Sequence, residues 1–284
     1  MPEHMRVLHV GAHPADAFDH AGGTLANHVE RGDEVTIVTL THGVQSHAWN
    51  LIAKSRDKNE VVDSAKRESA IDDKEKEIVD ACGVLGVQDL RFLRLEDGML
   101  IKTPHIVRQM AMIIKEIRPN ILITHSPLEG GGVGAGHSHA ICADIVLSAF
   151  YMACGLIDGD DSPPHEVAQI FFVGQFGQDS IFDFESNRFP YILIDITDVV
   201  EKKVRALEKL KSQFYSGPLG RKLIECQNGY FAVHARVPYV EPFYPWRPEV
   251  HKTLPVSDFN LNLKGRASKE LFDESARMIV PFLK

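Results

Sequence analysis

His13 and Asp16 stand three residues apart across a turn that contains Pro14. That spacing lets an imidazole and a carboxylate reach one ion. A third ligand from another loop would give three protein ligands and leave one position for water, the pattern of a catalytic rather than a structural zinc site. Water bound there ionises near neutral pH and becomes a nucleophile. The same two residues could instead cap a turn and a helix start. Spacing alone favours that plainer role, because lone His-x-x-Asp pairs are common. The rest of the histidine pattern bears on the choice. The chain has 14 histidines. His13, His42, His47, His125, His137 and His139 all fall just after predicted strands or at the start of the next helix.

The elements that must position these residues are legible from periodicity and punctuation. Arg6 to Gly11 reads as a short buried strand, and Glu34 to Leu40, rich in β-branched residues, as a second. Gly22 to Gly32 between them reads as a helix with Thr24 near its start. Thr41 to about Arg67 is polar and too long for an ordinary connection, so a lid or a partly helical excursion is expected. A helix over Lys66 to Cys82, a strand over Asp89 to Leu95, a helix over Thr103 to Ile117 and a strand over Asn120 to His125 follow. A glycine-rich loop, Gly130 to Gly136, leads into a helix from about Ser138 to Ala153. This alternation predicts a Rossmann-like α/β fold, a mostly parallel sheet with helices on both faces. In such sheets ligands bind beyond the carboxyl ends of the strands, where all six histidines would lie.

Residues 156–284 read as a C-terminal elaboration on a core of about residues 1–155, within a single domain. Strands are expected at Ala168 to Phe176 and Tyr191 to Thr197, with a charged helix over Asp198 to Phe214 whose Glu201, Lys202, Lys203 and Lys209 mark a solvated face. A proline-rich stretch then ends in a helix from about Ser268 to Phe282. In that stretch Tyr239, Phe243, Tyr244 and Trp246 line a pocket, an oligomer contact or a rigid surface extension.

Composition excludes several classes. The 284 residues are 44% hydrophobic and 25% charged, with a formal net charge of −8. No basic stripe points to nucleic acid, and the acidic balance argues against anionic membranes. Cys82, Cys142, Cys154 and Cys226 form no Cys-x-x-Cys, so reduced thiols in a cytoplasmic protein are expected. No apolar run approaches the roughly 20 residues of a membrane span. The glycine-rich loop matches neither a dinucleotide fingerprint nor a Walker loop. Arg67, Arg91 and Arg94 are candidates for a substrate anion, with surface roles as the alternative.

Ala12-His13-Pro14-Ala15-Asp16, followed by Ala21-Gly22-Gly23-Thr24-Leu25-Ala26, resembles the opening signature of the PIG-L/LmbE superfamily. Thr39 to Gly43, Cys82 to Val87 and Phe92 to Gly98 match in order, so the resemblance covers about residues 5–155. The best-known members are zinc-dependent de-N-acetylases of N-acetylglucosamine conjugates. The resemblance implies that His13 and Asp16 bind zinc. It also implies a third ligand, a histidine opening the helix after the fourth strand. That region reads Gly136-His137-Ser138-His139-Ala140-Ile141. Matching the following helix places the ligand at His139, with His137 as runner-up.

The chain departs from the family at two positions. The family's first aspartate, its presumed general base, is Ala15 here, and the aspartate before the third ligand is Ser138. Loss of a positioned base typically costs about 10²–10⁴-fold in rate. The 4-oxalomesaconate hydratase branch resembles this chain in having alanine between the histidine and the aspartate. Its proposed acid/base glutamate lies in the loop after the second strand, near His47 here. Histidine titrates in the useful range and can do that work. The reading is therefore a zinc enzyme acting as a hydratase on a small, carboxylated substrate. His47 is the acid/base candidate, and His42 and His125 are candidate oxyanion or carboxylate contacts. A de-N-acetylase with its base relocated to His47 or His137 is the alternative. A non-catalytic metal or ligand binder is a third, and homo-oligomers occur among relatives. The ligand set predicts about one zinc per purified chain by mass spectrometry, lost in His139→Ala. A metal-free chain after zinc is supplied would return His13 and Asp16 to a turn.

Overall fold

The computed structural model describes residues 4–58, 60–174, 192–263 and 265–279. Strands β1 (Arg6–Gly11), β2 (Glu34–Thr41), β3 (Asp89–Leu95), β4 (Ile121–Thr124) and β5 (Gln169–Val173) run parallel in the order β3-β2-β1-β4-β5. Strands β6 (Ile192–Asp195) and β7 (Val240–Pro245) extend the same sheet as β5-β7-β6, with β7 antiparallel to both neighbours. Around it lie α1 (Asp16–Glu30), α2 (Val44–His47), α3 (Trp49–Lys58), α4 (Ser64–Leu85), α5 (Pro104–Ile117), α6 (Ser138–Ala153), α7 (Val200–Leu207), α8 (Pro218–Ala235), α9 (Asp258–Leu263) and α10 (Ser268–Ser275).

The strand alternation sorts the core onto two faces. Val7 and Ile37 pack with Phe18 and Leu25 of α1, Ile78 of α4 and Val204 of α7. Leu8, Val10, Val38 and Leu40 pack with Met110 and Ile114 of α5 and Val146 and Phe150 of α6. The α5 start matches its sequence signals: Thr103 accepts a hydrogen bond from the Ile106 amide, and Pro104 occupies the first turn. From β1 the chain winds outward through β2 to β3, and from β4 outward the other way. The loops after β1 and β4 therefore meet at a topological switch point.

The β1, β3 and α6 bounds agree with the sequence expectation, and the polar excursion is helical, as α2 and α3. Four expectations need correction. Helix α1 begins at Asp16, not Gly22, so Gly22 and Gly23 lie in its interior. They are small because other chains cross there: a Cβ on Gly23 would fall 2.6 Å from Ile196. Second, Lys203 is not solvated. Its side chain is wholly buried, as is that of Glu241, and its ammonium donates to Glu241 Oε1 at 2.8 Å, Asn228 Oδ1 at 3.0 Å and the Asp19 carbonyl at 2.6 Å. Glu241 in turn accepts the amides of Gly23 (2.9 Å) and Thr24 (2.7 Å). The i→i−4 pattern of a helix would join Gly23 to Asp19. Both groups here meet the ion pair.

Third, the proline-rich stretch holds a sheet strand. Pro242 accepts the Gly174 amide just beyond β5, and Pro245 lies past the last described β6 pairing. The missing N–H of Pro242 thus falls just beyond the end of β5, which is where a sheet tolerates proline. Tyr239 and Phe243 are core residues, and Trp246 packs edge-on to Phe150. Helix α8 had no expected counterpart. Fourth, the terminal helix ends at Ser275, and a separate short helix, α9, precedes it. Residues 175–176, 191 and 280–282 of the expected elements lie outside the described residues.

Removing one partner of a buried ion pair leaves an uncompensated charge, typically at about 3–5 kcal/mol. Lys203→Met should lower unfolding free energy in urea by about that much. The double variant Lys203→Met/Glu241→Gln should recover part of it. A loss within the range of an exposed pair, under about 1 kcal/mol, would contradict this account.

Candidate metal centre and its supporting shell

Three side chains converge at the switch point. His13 follows β1, Asp16 opens α1 and His139 lies in the first turn of α6. His13 Nδ1 and His139 Nε2 are 3.0 Å apart, and each lies 3.7 Å from an oxygen of Asp16. Ligands about 2.0–2.1 Å from one tetrahedral ion stand roughly 3.3–3.4 Å apart, so the spacing fits a divalent cation. The chemistry of the donors fits too. Glu129 accepts the Nδ1 proton of His139, which leaves a lone pair on Nε2. Ser138 Oγ lies 3.3 Å from His13 Nε2, on the far side of that ring. Asp16 is a carboxylate. With His13 in the Nε2–H tautomer, donating to Ser138 Oγ, three acceptors face one point, and a cation satisfies all of them.

The charge on Asp16 is secured from behind. Its Oδ2 accepts the His13 amide at 2.7 Å and lies 2.8 Å from His125 Nε2. Burial opposes ionisation of Asp16, yet His139 and His125 hold its carboxyl well below the usual range. His125 itself is only 1% exposed and lies between Asp16 and Glu129, whose Oε2 is 3.3 Å from Nδ1. Burial lowers its pKa, but the two carboxylates win and raise it to about 10. The His125 and His139 rings stack at 3.9 Å. Burial, with cationic His125 alongside, pushes His139 down to about 4, so it stays neutral, the form that can ligate.

The other candidates divide between the site and its surroundings. His47 reaches it from α2, with ring centroids 4.5 Å from His13. Burial and the neighbouring His13 push its pKa down to about 4. His137 stands edge-on to His139 at 5.0 Å, and its Nδ1 is buried without a hydrogen-bond partner. A Cβ on Gly130, at φ +59°, would meet the His137 ring at 2.3 Å, which explains one glycine of the loop. The two expected substrate contacts, His42 and His125, meet protein groups. His125 is sealed behind Asp16, so its carboxylate partners are Asp16 and Glu129. His42 Nδ1 accepts the Val44 amide and lies 3.2 Å from Asp97, so it braces a loop. Arg91 and Arg94 are held in ion pairs with Asp89, Glu116, Glu68, Asp72 and Glu75. Arg67 is exposed.

Sequence reasoning missed Glu129 and Asp97. Glu129 lies four residues after His125 and begins the glycine-rich loop, a place that could have flagged a partner for a histidine. Asp97 sits inside the quoted Phe92 to Gly98 match, but nothing in its sequence surroundings points to α2, whose Gln45 and Ser46 amides it accepts.

Known proteins resemble this chain in sequence and in fold. A 1D-myo-inositol 2-acetamido-2-deoxy-alpha-D-glucopyranoside deacetylase from Mycobacterium leprae is 27% identical, over 84% of this chain and 90% of its own. Among solved structures, the 4-carboxy-2-hydroxymuconate hydratase GalB from Pseudomonas putida superposes with a TM-score of 0.70 at 18% identity, covering 88% of this chain and all of its own. The N,N'-diacetylchitobiose deacetylase from Pyrococcus horikoshii gives 0.64 at 18% identity, covering 85% and 83%. At such identities these two structures establish the shared fold alone. The profile of the GlcNAc-PI de-N-acetylase (PIG-L) family matches residues 8–150, half of the chain. With the fold and the opening motif in agreement, the chain belongs to the PIG-L family.

Proposed function

We propose that this protein is a zinc-dependent de-N-acetylase of an N-acetylglucosamine-type conjugate, with His13, Asp16 and His139 as ligands. One observation carries the reading: three acceptors converge on one point beside His47, in a chain whose sequence relatives include GlcNAc-conjugate deacetylases. It reverses the preference for hydration, because the hydratase is a likeness of fold at 18% identity. When bound, zinc supplies Lewis acidity that polarises an acyl oxygen and makes water nucleophilic near neutral pH.

The chain's own residues do the rest. Ala15 is a buried methyl at the head of α1 and cannot take a proton. His47, with its ring 4.5 Å from that of His13, replaces it as the general base. His137, edge-on to His139, is the group that returns a proton to the leaving amine in this reading. Asp16 is kept anionic by His125, and His139 is oriented by Glu129. Ala15 also supports a second reading, hydration of a carboxylated substrate, since it removes the group that amide hydrolysis uses elsewhere in the family.

Free amine released from a panel of N-acetylated amino sugars decides between them. Robust release by the unaltered chain supports the deacetylase. No release, with water added to an unsaturated carboxylate, supports the hydratase. In the deacetylase, His47→Ala should lower kcat by about 10²–10⁴-fold, and Ala15→Asp in that background should restore part of it. A base must be neutral to act. Because His47 is pushed down to about 4, kcat/KM of the zinc-saturated enzyme should stay level from neutral pH downward and fall only as pH approaches 4. An acid limb centred near 6.5, the ordinary histidine value, would count against His47.

A further inference from the structure

Helix α2 does more than bring His47 to the site. Asp97, at the end of the β3 loop, has a fully buried side chain. Its carboxylate accepts the Gln45 amide at 3.1 Å, the Ser46 amide at 2.7 Å and the Ser46 hydroxyl. Gly98 donates to Gln45 Oε1 at 2.6 Å, which fastens the two loops a second time. Ser46 Oγ lies 2.6 Å from His47 Nδ1.

The proton count follows from this geometry. Ser46 has one hydroxyl proton. The carboxylate is the stronger acceptor, and charge-assisted bonds are the short ones. Once the proton points to Asp97, Oγ can only accept. His47 Nδ1 must then be the donor, and a neutral imidazole that donates from Nδ1 carries its lone pair on Nε2. His42 does not disturb this count, because its Nδ1 accepts the Val44 amide and brings no proton to Asp97.

We propose that Ser46 and Asp97 are positioning residues that lock His47 in the Nδ1–H tautomer, leaving Nε2 as the acceptor. The chain Asp97–Ser46–His47 does for this imidazole what a buried carboxylate does directly in a hydrolase triad, with a hydroxyl interposed. The catalytic consequence rests on the reading of His47 as base; the tautomer does not.

Long-range ¹H–¹⁵N NMR of zinc-loaded, ¹⁵N-histidine-labelled protein reads the tautomer directly, with the His47 signals assigned from their absence in His47→Gln. The unaltered chain should show the Nδ1–H form. Ser46→Ala removes the acceptor and should move His47 toward Nε2–H, while Ser46→Thr should restore Nδ1–H. Ser46→Ala decides, since it keeps Asp97 on both α2 amides. On an N-acetylated amino sugar, Ser46→Ala should lower kcat by about 10²–10⁴-fold with KM nearly unchanged, recovering in Ser46→Thr. An Nε2–H signal in the unaltered chain, or the same tautomer in all variants, overturns the proposal even if rates fall. The expected tautomers with full activity in His47→Gln would overturn the base instead and leave the lock standing.

Discussion

Asp16 holds a negative charge where almost no water reaches it, 5% exposed at the head of α1. A carboxylate so placed must be neutralised or surrounded by donors. The local architecture meets that requirement. The His13 amide turns toward Asp16, His125 comes from the end of β4 with its own charge, and Glu129 on the next loop balances His125 and orients His139. The switch point of the sheet brings the loops after β1 and β4 within reach. The helix starts of α1 and α6 supply the remaining positions. The contacts that settle the Asp16 charge also set the spacing of His13, Asp16 and His139.

Much of this could be read in the residues. Short apolar and β-branched runs with glycine stops marked β1 and β2, because these strands are buried on both faces and their composition has few alternatives, whereas β3 is a partly buried edge strand marked by its apolar alternation. The loops that carry His13, His47 and His139 followed from strand order. What failed was long-range. Gly22 and Gly23 looked like a helix start because the sequence around them does not reveal that Ile196 and Lys203 cross there. Lys203 looked solvated because a charged helix face is solvated unless a partner such as Glu241 meets it. His125 looked available because its partners, Asp16 and Glu129, are set by folding. The prolines of β7 spoke against a strand because the local rule takes no account of where neighbouring strands stop.

The two halves of the site differ in kind. On the Asp16 side, Asp16 and Glu129 flank His125, and Glu129 also meets His139, so the buried carboxylates each face an imidazole. On the His47 side, α2 is one turn long and depends on Asp97 for the amides at its head. A four-residue helix has little stability of its own. Its fixed point is the end of β3, so the distance from His47 to His13 is governed by how β2 and β3 are paired, including the register shift between Thr39 and Thr41.

The Lys203–Glu241 pair also bears on the order in which the molecule comes together. The groups that meet the Asp19 carbonyl and the Gly23 and Thr24 amides of helix α1 emerge about 180 to 220 residues after it. Until Glu241 arrives, the helix that presents Asp16 lacks partners it has in the finished fold. Contacts of such sequence separation form late and slow the search. The opening motif is therefore translated well before the groups that complete its surroundings.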